Sequence, residues 1–469
     1  MRQFETAFRR IIGSIALLLM AVATWAMIAD RAFCATVPVE VTSPSGLRIF
    51  LVEDHSAPLF TLGFRFAGGA SQDPAGKEGL AHMTAEAFLQ GAGSQPLEDY
   101  LKAWSELGAE PVVEARFESL RGSLKVLSKD RDAAAGLLAA AVNQPSLAPE
   151  TLEDIRDQAL AAIDRDAADP EAIAYAAYGQ IAYPKHGLAQ SIGGTRKDVR
   201  TIAAADIALY RRHVLARDGL TLAAVGDITP GEIGALADRI FANLPAHGDV
   251  TQLATPAMPN ARRSDLPSQT SEAEVVFGVS LGRLTPRQQS MAELLNYTLG
   301  GSAFTSRLYH QIRDRRGLVY AIGSTLDNYS PVSEITGSFG AEPANVEEAI
   351  GLLRGEFERL AADGPSDAEV EEAKAALAGQ YLRGLIRQTD LANELTLRMS
   401  QGFGADYIAT YASRLDTIAP GEVRDFARAV PWLDRLIVVT VGERSTPDDG
   451  TQGVAAERSR LHQQAPQEP

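Results

Sequence analysis

Apolar and polar positions along this chain follow a pattern that occurs twice. Leu220-Thr221-Leu222-Ala223-Ala224-Val225 and Leu436-Ile437-Val438-Val439-Thr440-Val441 are short, nearly continuous apolar runs. Such runs predict buried strands. Each closes on a glycine and an acid, Gly226-Asp227 and Gly442-Glu443. Each follows a helical stretch that opens after Thr-Ile-Ala, at Thr201 and again at Thr417, 216 positions on. An earlier echo lies at Ala148-Pro149-Glu150 and Ser366-Asp367-Ala368-Glu369. Both predict a helix start, with acidic residues at the positive end of the helix dipole. Phe60 to Phe66 is a further strand-like run. The repeat predicts two similar α/β units of roughly 200 residues, each starting with strands, continuing with long helices and closing with a strand.

The expected division is a first unit over 36–246, a linker over 247–270, a second unit over 271–443 and a disordered tail over 444–469. The linker holds Pro256, Pro259 and Pro267 and lacks helical periodicity. The tail is polar and rich in Gln and Pro. Residues 1–35 read as a targeting segment. Arg2, Arg9 and Arg10 precede an uncharged run from Ile11 to Ala29, and Ala32-Phe33-Cys34-Ala35 follows. This fits a secretory signal cut before Ala35, and export to the periplasm or beyond. The run is also long enough to stay as a membrane anchor over 11–29. Cys34 is the only cysteine, and Phe33 before it argues against a lipoprotein. After such a cut no disulfide remains, and stability rests on core packing. The net charge of −16 argues against a phosphate-binding surface and hence against nucleic acid.

Gly79-Leu80-Ala81-His82-Met83-Thr84-Ala85-Glu86 carries the candidate chemistry. One class of zinc peptidase has H-x-x-E-H on a helix, with two metal-binding imidazoles and a glutamate that activates water. Here His82 fills the first position, Ala85 the glutamate position and Glu86 the second histidine position. One imidazole cannot hold zinc, and alanine cannot take a proton. His82, among Leu80, Met83 and Phe88, is therefore expected to be a partly buried, hydrogen-bonded imidazole. His55, His186 and His213 are scattered and form no ligand cluster. Gly300-Gly301-Ser302 is no P-loop, because Ala303-Phe304-Thr305 follows where Lys-Ser/Thr is needed. A tight helix-to-loop turn near substrate is the better reading. Arg313 and Tyr320 stand seven positions apart, with Gly317 between them as a helix stop and Tyr320 starting a strand. Spacing alone predicts no more than a capped helix with solvated Arg313, Arg315 and Arg316.

The order of these features adds to the reading. Gly68-Gly69-Ala70-Ser71-Gln72-Asp73-Pro74, the altered motif and Gly91-Ala92-Gly93 are followed by Leu299-Gly300-Gly301-Ser302. Ser306-Arg307-Leu308-Tyr309 and the segment Ile312 to Tyr320 come next. Together they resemble the pitrilysin/insulysin zinc metallopeptidases, the inverzincins, from about Val39 to Glu443. Within that family the chain resembles short bacterial two-domain members related to mitochondrial processing peptidase. Tyr183-Pro184-Lys185-His186-Gly187 is similar to a structural turn of the family. The resemblance implies an α+β fold of two homologous α/β repeats, each a mostly antiparallel sheet with helices packed on one face. It implies that a third zinc ligand, a glutamate, would fall near Ala162, with Glu153, Asp154, Asp157 and Asp164 close by.

It further implies that Arg313 and Tyr320 help bind substrate and stabilise the transition state, with Gly300, Gly301 and Ser302 near the substrate. Some members divide the work between two chains. The expectation is then a zinc-free subunit of a heteromeric secreted metallopeptidase, inactive alone, with no cofactor in this chain. A zinc-binding partner of the same family would carry the metal and activate water. The substrate would be a peptide held extended along a sheet edge. Two alternatives stay open: a scaffold that has lost proteolysis, like the related respiratory-complex core subunits, and a peptidase with an altered metal site.

Overall fold

The computed structural model describes residues 37–93 and 95–442. The expected signal or anchor and the expected disordered tail lie outside the described residues. The first repeat begins with β1 (Val39–Thr42), β2 (Arg48–Glu53), β3 (Leu59–Ala67) and helix α1 (Leu80–Ala87). Next come β4 (Glu110–Ala115), β5 (Ser119–Leu127), α2 (Pro149–Asp166), α3 (Pro170–Ala182), β6 (Leu220–Gly226) and α4 (Pro230–Phe241). The second repeat begins with β7 (Arg262–Pro267), β8 (Ala273–Gly282), α5 (Pro286–Asn296), β9 (Ile322–Asn328) and β10 (Ser333–Ala341). It ends with α6 (Asp367–Gly384), α7 (Gln388–Ser400), α8 (Tyr407–Asp416) and β11 (Ile437–Gly442).

The strand orders are β1-β2-β6-β3-β5-β4 and β7-β11-β8-β10-β9. Each sheet is antiparallel apart from one parallel pair, β2 with β6 and β11 with β7. Laid side by side, the two orders are one topology used twice, with β1 added to the first. The helix starts follow their caps. Pro149 and Pro170 occupy first-turn positions, where the missing N–H costs nothing. Ser366 and Glu369 form a reciprocal capping box at the start of α6.

Strand β7 lies inside the stretch expected to be a linker. It runs parallel to β11, from Arg262 beside Ile437 to Pro267 beside Gly442. It is an edge strand with exposed Arg262 and Arg263, held mainly by main-chain pairing rather than apolar burial. A polar edge strand leaves no apolar run to read, and its terminal proline sits where proline is tolerated.

Alternation along the strands gives each sheet two buried faces. In the first sheet Ile49, Leu51, Phe60, Leu62, Phe64 and Phe66 face the core shared with α1, α2 and α4. Phe50, Val52, Ala223 and Val225 face the other way, onto Ala392 and Leu395 of α7. In the second sheet Val275, Phe277 and Val279 join that repeat's own core. Val276, Ile437, Val439 and Val441 face Ala174 and Tyr178 of α3. Helices of one repeat thus cover one face of its sheet, as the resemblance implies, and the opposite face is covered by one helix of the other repeat. The exchange is reciprocal, α3 for α7. Two glycines let these helices approach. A Cβ on Gly278 would lie 2.3 Å from the Tyr178 hydroxyl, and one on Gly63 would lie 3.0 Å from the Ala392 carbonyl oxygen. Each fully buried Leu or Phe on these faces contributes roughly 1.5–3 kcal/mol of transfer free energy.

Candidate functional site

The altered motif sits on α1, whose entry is tightly built. Gly79 takes a left-handed conformation, φ 97°, and a Cβ there would lie 2.8 Å from the Gly193 carbonyl oxygen. The Asp73 carboxyl reaches across to the start of α1 and accepts the N–H of Gly79 at 2.8 Å and of Ala81 at 2.9 Å. Burial pushes its pKa up to about 7, although these backbone donors favour the charged form.

His82 and Glu86 follow one turn apart, both half-buried, and Ala85 is fully buried. The His82 ring makes no hydrogen bond to another described residue, which differs from the hydrogen-bonded imidazole expected. Helix α1 packs on α2, where Ile155 and Ala159 are buried and Ala162 is half-buried. Glu153, Asp154, Asp157 and Asp164 are all exposed, with Glu153 paired to Arg156 and Asp164 to Arg196. Among the described residues no group of three or more His, Cys, Asp or Glu could hold a metal ion. One imidazole and one carboxylate, with an apolar third position, do not fit a zinc centre that needs three protein ligands.

The remaining predicted residues lie in the second repeat. Helix α5 runs on into a wide turn, Tyr297–Gly301. Gly300 is pressed against β9, so that a Cβ would lie 2.5 Å from the Ser324 hydroxyl oxygen. Ser302 is buried and shares a 2.7 Å hydrogen bond with the Thr305 hydroxyl. Arg307 grips the Glu369 carboxylate with Nε at 2.7 Å and Nη2 at 2.8 Å, and donates to the Gly364 carbonyl at 3.1 Å. Burial opposes ionisation of Glu369, but its bonds from Arg307 and Ser366 prevail and hold its pKa at about 2.

Arg313 lies in the wide turn Tyr309–Asp314, exposed, with its guanidinium 5.7 Å from the centre of the Tyr309 ring. Gly317, at φ 63°, ends this turn and donates to the Arg313 carbonyl at 2.9 Å. The strand begins at Ile322, two residues later than expected, although the Tyr320 N–H already donates to the Gly340 carbonyl at 3.2 Å. The Tyr320 side chain is 57% exposed. The nearby Glu272 carboxylate is the main influence raising its pKa, which keeps the phenol protonated as a donor.

Tyr320, Gly300 and Gly301 line one open cleft of about 700 Å³, together with Ile322 to Thr325 of β9. Ser302 and Arg313 are not among its lining residues. Tyr175, on α3 of the first repeat, and Glu272 belong to the same wall. Sequence reading missed both, because only the helix exchange brings Tyr175 here. Strand β9 pairs with β10 alone among the described strands, and its Ser324 carbonyl also accepts from the Asn296 side chain at 3.3 Å. No helix among the described residues is long and apolar enough to cross a membrane.

Comparisons with known proteins bear on this arrangement. Residues 48–196 match the family model for insulinase, peptidase family M16, and residues 201–377 match the model for the peptidase M16 inactive domain. An uncharacterized zinc protease of Streptomyces coelicolor is 23% identical over 402 residues, covering 83% of this chain and 86% of the relative. A non-peptidase homolog, YmxG, of Helicobacter pylori is 21% identical over 398 residues, covering 84% of this chain and 91% of the relative. In fold the chain is similar to a peptidase M16 inactive domain from Pseudomonas fluorescens. The TM-score is 0.81 at 23% identity, over 87% of this chain and 98% of that one. It is also similar to a chain of complex III2 from Candida albicans, with TM-score 0.71 at 16% identity, over 86% and 95% of the two chains. The two family-model matches account for most of the chain, and the doubled topology carries them: this protein belongs to the insulinase-like peptidase family M16.

Proposed function

We propose that this chain is the zinc-free, non-catalytic subunit of a heteromeric exported metallopeptidase, inactive alone and dependent on a zinc-bearing partner of the same family. One observation carries the reading. The motif helix has lost its base and second imidazole, with Ala85 now in the core, while Tyr320 stands in an open cleft beside the edge strand β9. The match to the M16 inactive domain and the likeness to a non-peptidase homolog support it. In this reading an extended peptide adds to the outer edge of β9 by main-chain hydrogen bonds. Gly300 and Gly301 flank that strand in the cleft wall, and buried Ser302 shapes the turn beside it. Tyr320 donates its phenolic hydrogen to the oxyanion that develops at the partner's site. Arg313 holds a carbonyl or carboxylate of the same peptide outside the cleft. Zinc and water activation belong to the partner. Export depends on the segment up to Ala35, and retention of residues 11–29 would tie the complex to a membrane.

The test is peptide hydrolysis by the native complex, comparing wild type with Tyr320→Phe at matched partner content. Loss of one oxyanion donor is expected to slow turnover by about 10²-fold while assembly persists. Equal rates would sink the helper role and favour a second reading, a scaffold of the peptidase fold. Two observations speak for the scaffold: Arg313 does not line the Tyr320 cleft, and the fold is similar to that of a complex III chain. A scaffold would tolerate Arg313→Ala and Tyr320→Phe alike.

A further inference from the structure

Arg65 lies toward the end of β3 and is only 8% exposed. Its neighbours Phe64 and Phe66 face the first repeat's core, so by strand alternation Arg65 faces the other way, toward α7 of the second repeat. In the antiparallel register it stands directly opposite Arg121 of β5. Like charges so placed repel. Among the described residues no carboxylate lies within ion-pair distance of Arg65, whose Nη1 donates instead to the Ser119 hydroxyl. Arg121 pairs with Glu114 at 2.9 Å, but Arg116 shares that carboxylate at 2.6 Å. Arg387 takes Asp390 at 2.6 Å, and Arg398 takes Glu394 at 2.6 Å. Five guanidiniums thus stand against three carboxylates, a local reversal of charge in a chain of net charge −16.

Arg65 opens on a cavity of about 400 Å³ between the first sheet and the corner that joins α6 to α7. Arg121, Arg387 and Asn393 line it as well, and Leu385 and Leu397 give it an apolar side. Nε of Arg65 is buried without a partner. Nη2 also lacks a partner among the described residues but is not buried, so it is the donor that the cavity reaches. Burial, then Arg121 and Arg116, push the Arg65 pKa down to about 10, with Glu394 opposing, so the group stays charged at neutral pH. Glu394 itself is engaged elsewhere: its Oε1 accepts from Arg398 and from the Tyr381 hydroxyl at 2.7 Å. Two guanidiniums on neighbouring strands suit an acceptor that takes donors from two sides. An excess of two positive charges favours a dianion over a monocarboxylate. The volume is in the usual range for small ligands, which leaves room for an organic body beside the anionic group.

We propose that this cavity at the junction of the two repeats binds a phosphate-type oxyanion, gripped by Arg65 and Arg121. The oxyanion comes from free inorganic phosphate or from a small phosphomonoester. The inference does not depend on the helper-subunit reading. The test is calorimetric titration of the full chain, at matched ionic strength, with inorganic phosphate, glycerol 2-phosphate and succinate. Saturable binding of glycerol 2-phosphate, tighter than that of inorganic phosphate, supports the phosphomonoester source. Saturable binding of inorganic phosphate that is equal or tighter supports the free anion. In either case Arg65→Gln should weaken binding about tenfold or more, the loss of a hydrogen bond to a charged group. Arg287→Gln, on the second repeat and outside the cavity, should leave binding unchanged. If Arg65→Gln fails to fold, Arg121→Gln and the cavity-filling Gly384→Leu replace it, with weaker binding expected for both. No saturable binding of either phosphate, equal or tighter binding of succinate, or indifference to the cavity substitutions would overturn the proposal.

Discussion

Tyr178, on α3 of the first repeat, donates its hydroxyl to Oε2 of Glu334, on β10 of the second repeat, at 2.8 Å. Tyr183 donates to the same oxygen at 2.5 Å. Glu334 is only 4% exposed and stands opposite Asp327 on β9 and Ser280 on β8. A carboxyl with a second carboxyl as its cross-strand neighbour is therefore sealed between the two repeats. Burial, the largest influence, pushes Glu334 up to about 7, although both phenols favour its charged form. Burial raises Asp327 as well.

This arrangement predicts a pH dependence with a definite sign. Folded Glu334 keeps its proton to about pH 7, whereas the unfolded chain releases it near 4.5. Between these values the folded state binds more protons, so stability falls as pH rises. Glu334→Gln should flatten that slope by up to about 3 kcal/mol. Urea unfolding at about pH 5 and about pH 8 reads it out. A residual slope of the same sign is expected from Asp73, which is raised from 3.8 to about 7. An unchanged slope in the variant would show that Glu334 is not responsible.

The exchanged helices should be among the most sensitive places in the fold. Leu395 on α7 is 1% exposed against the first sheet. Leu395→Ala should cost roughly 2–5 kcal/mol. Gly278→Ala drives a methyl into the Tyr178 ring and should cost roughly 1–3 kcal/mol by overpacking. Both losses should appear in denaturant midpoints, and neither should appear if α3 and α7 do not cross between repeats in solution.

The Arg307–Glu369 pair is expected to hold the loop after Ser302 in place. The folded pKa of Glu369 is about 2 against an ordinary 4.5, so its contribution is complete above about 4.5 and is lost as pH falls toward 2. Glu369→Gln should remove that acid sensitivity and destabilise the chain by about 1–3 kcal/mol at neutral pH. Unfolding measured from about pH 2 to about pH 6 distinguishes the two variants. Equal acid sensitivity in both would assign it to another carboxyl.

Restoring the motif letters should not restore a metal site. Ala85 is fully buried, so Ala85→Glu places a carboxylate in the core and should lower stability by several kcal/mol. Ala85→Glu with Glu86→His still lacks a third ligand at Ala162, so zinc binding measured against a chromophoric chelator should stay weak. Tight stoichiometric zinc in the double variant would overturn this reading of the α1–α2 packing.

Much of this was legible in the residues. The doubled strands, β6 and β11, stand out because strands buried on both faces read as unbroken apolar runs. The helix starts at Pro149 and Ser366 were readable from capping chemistry, which is local. Strand β7 was not, because a polar edge strand held by main-chain bonds carries no side-chain period. The function of Gly300 as a close-packing residue was also hidden, since Ser324 approaches it only in the folded chain.

Residue identity alone determined that H-x-x-E-H is absent at His82, Ala85 and Glu86, because ligand and base chemistry depends on side-chain type before geometry. Periodicity alone determined that two like units recur, because apolar spacing is a property of consecutive positions. The tertiary structure alone decided that α3 and α7 exchange sheets. A run such as Val438-Val439-Thr440-Val441 says that both faces are covered, but not by which helix. It alone decided that Tyr320 shares a cleft with Tyr175 and that Tyr178 and Tyr183 meet Glu334. Both facts arise from contacts between segments far apart along the chain, which no local pattern encodes.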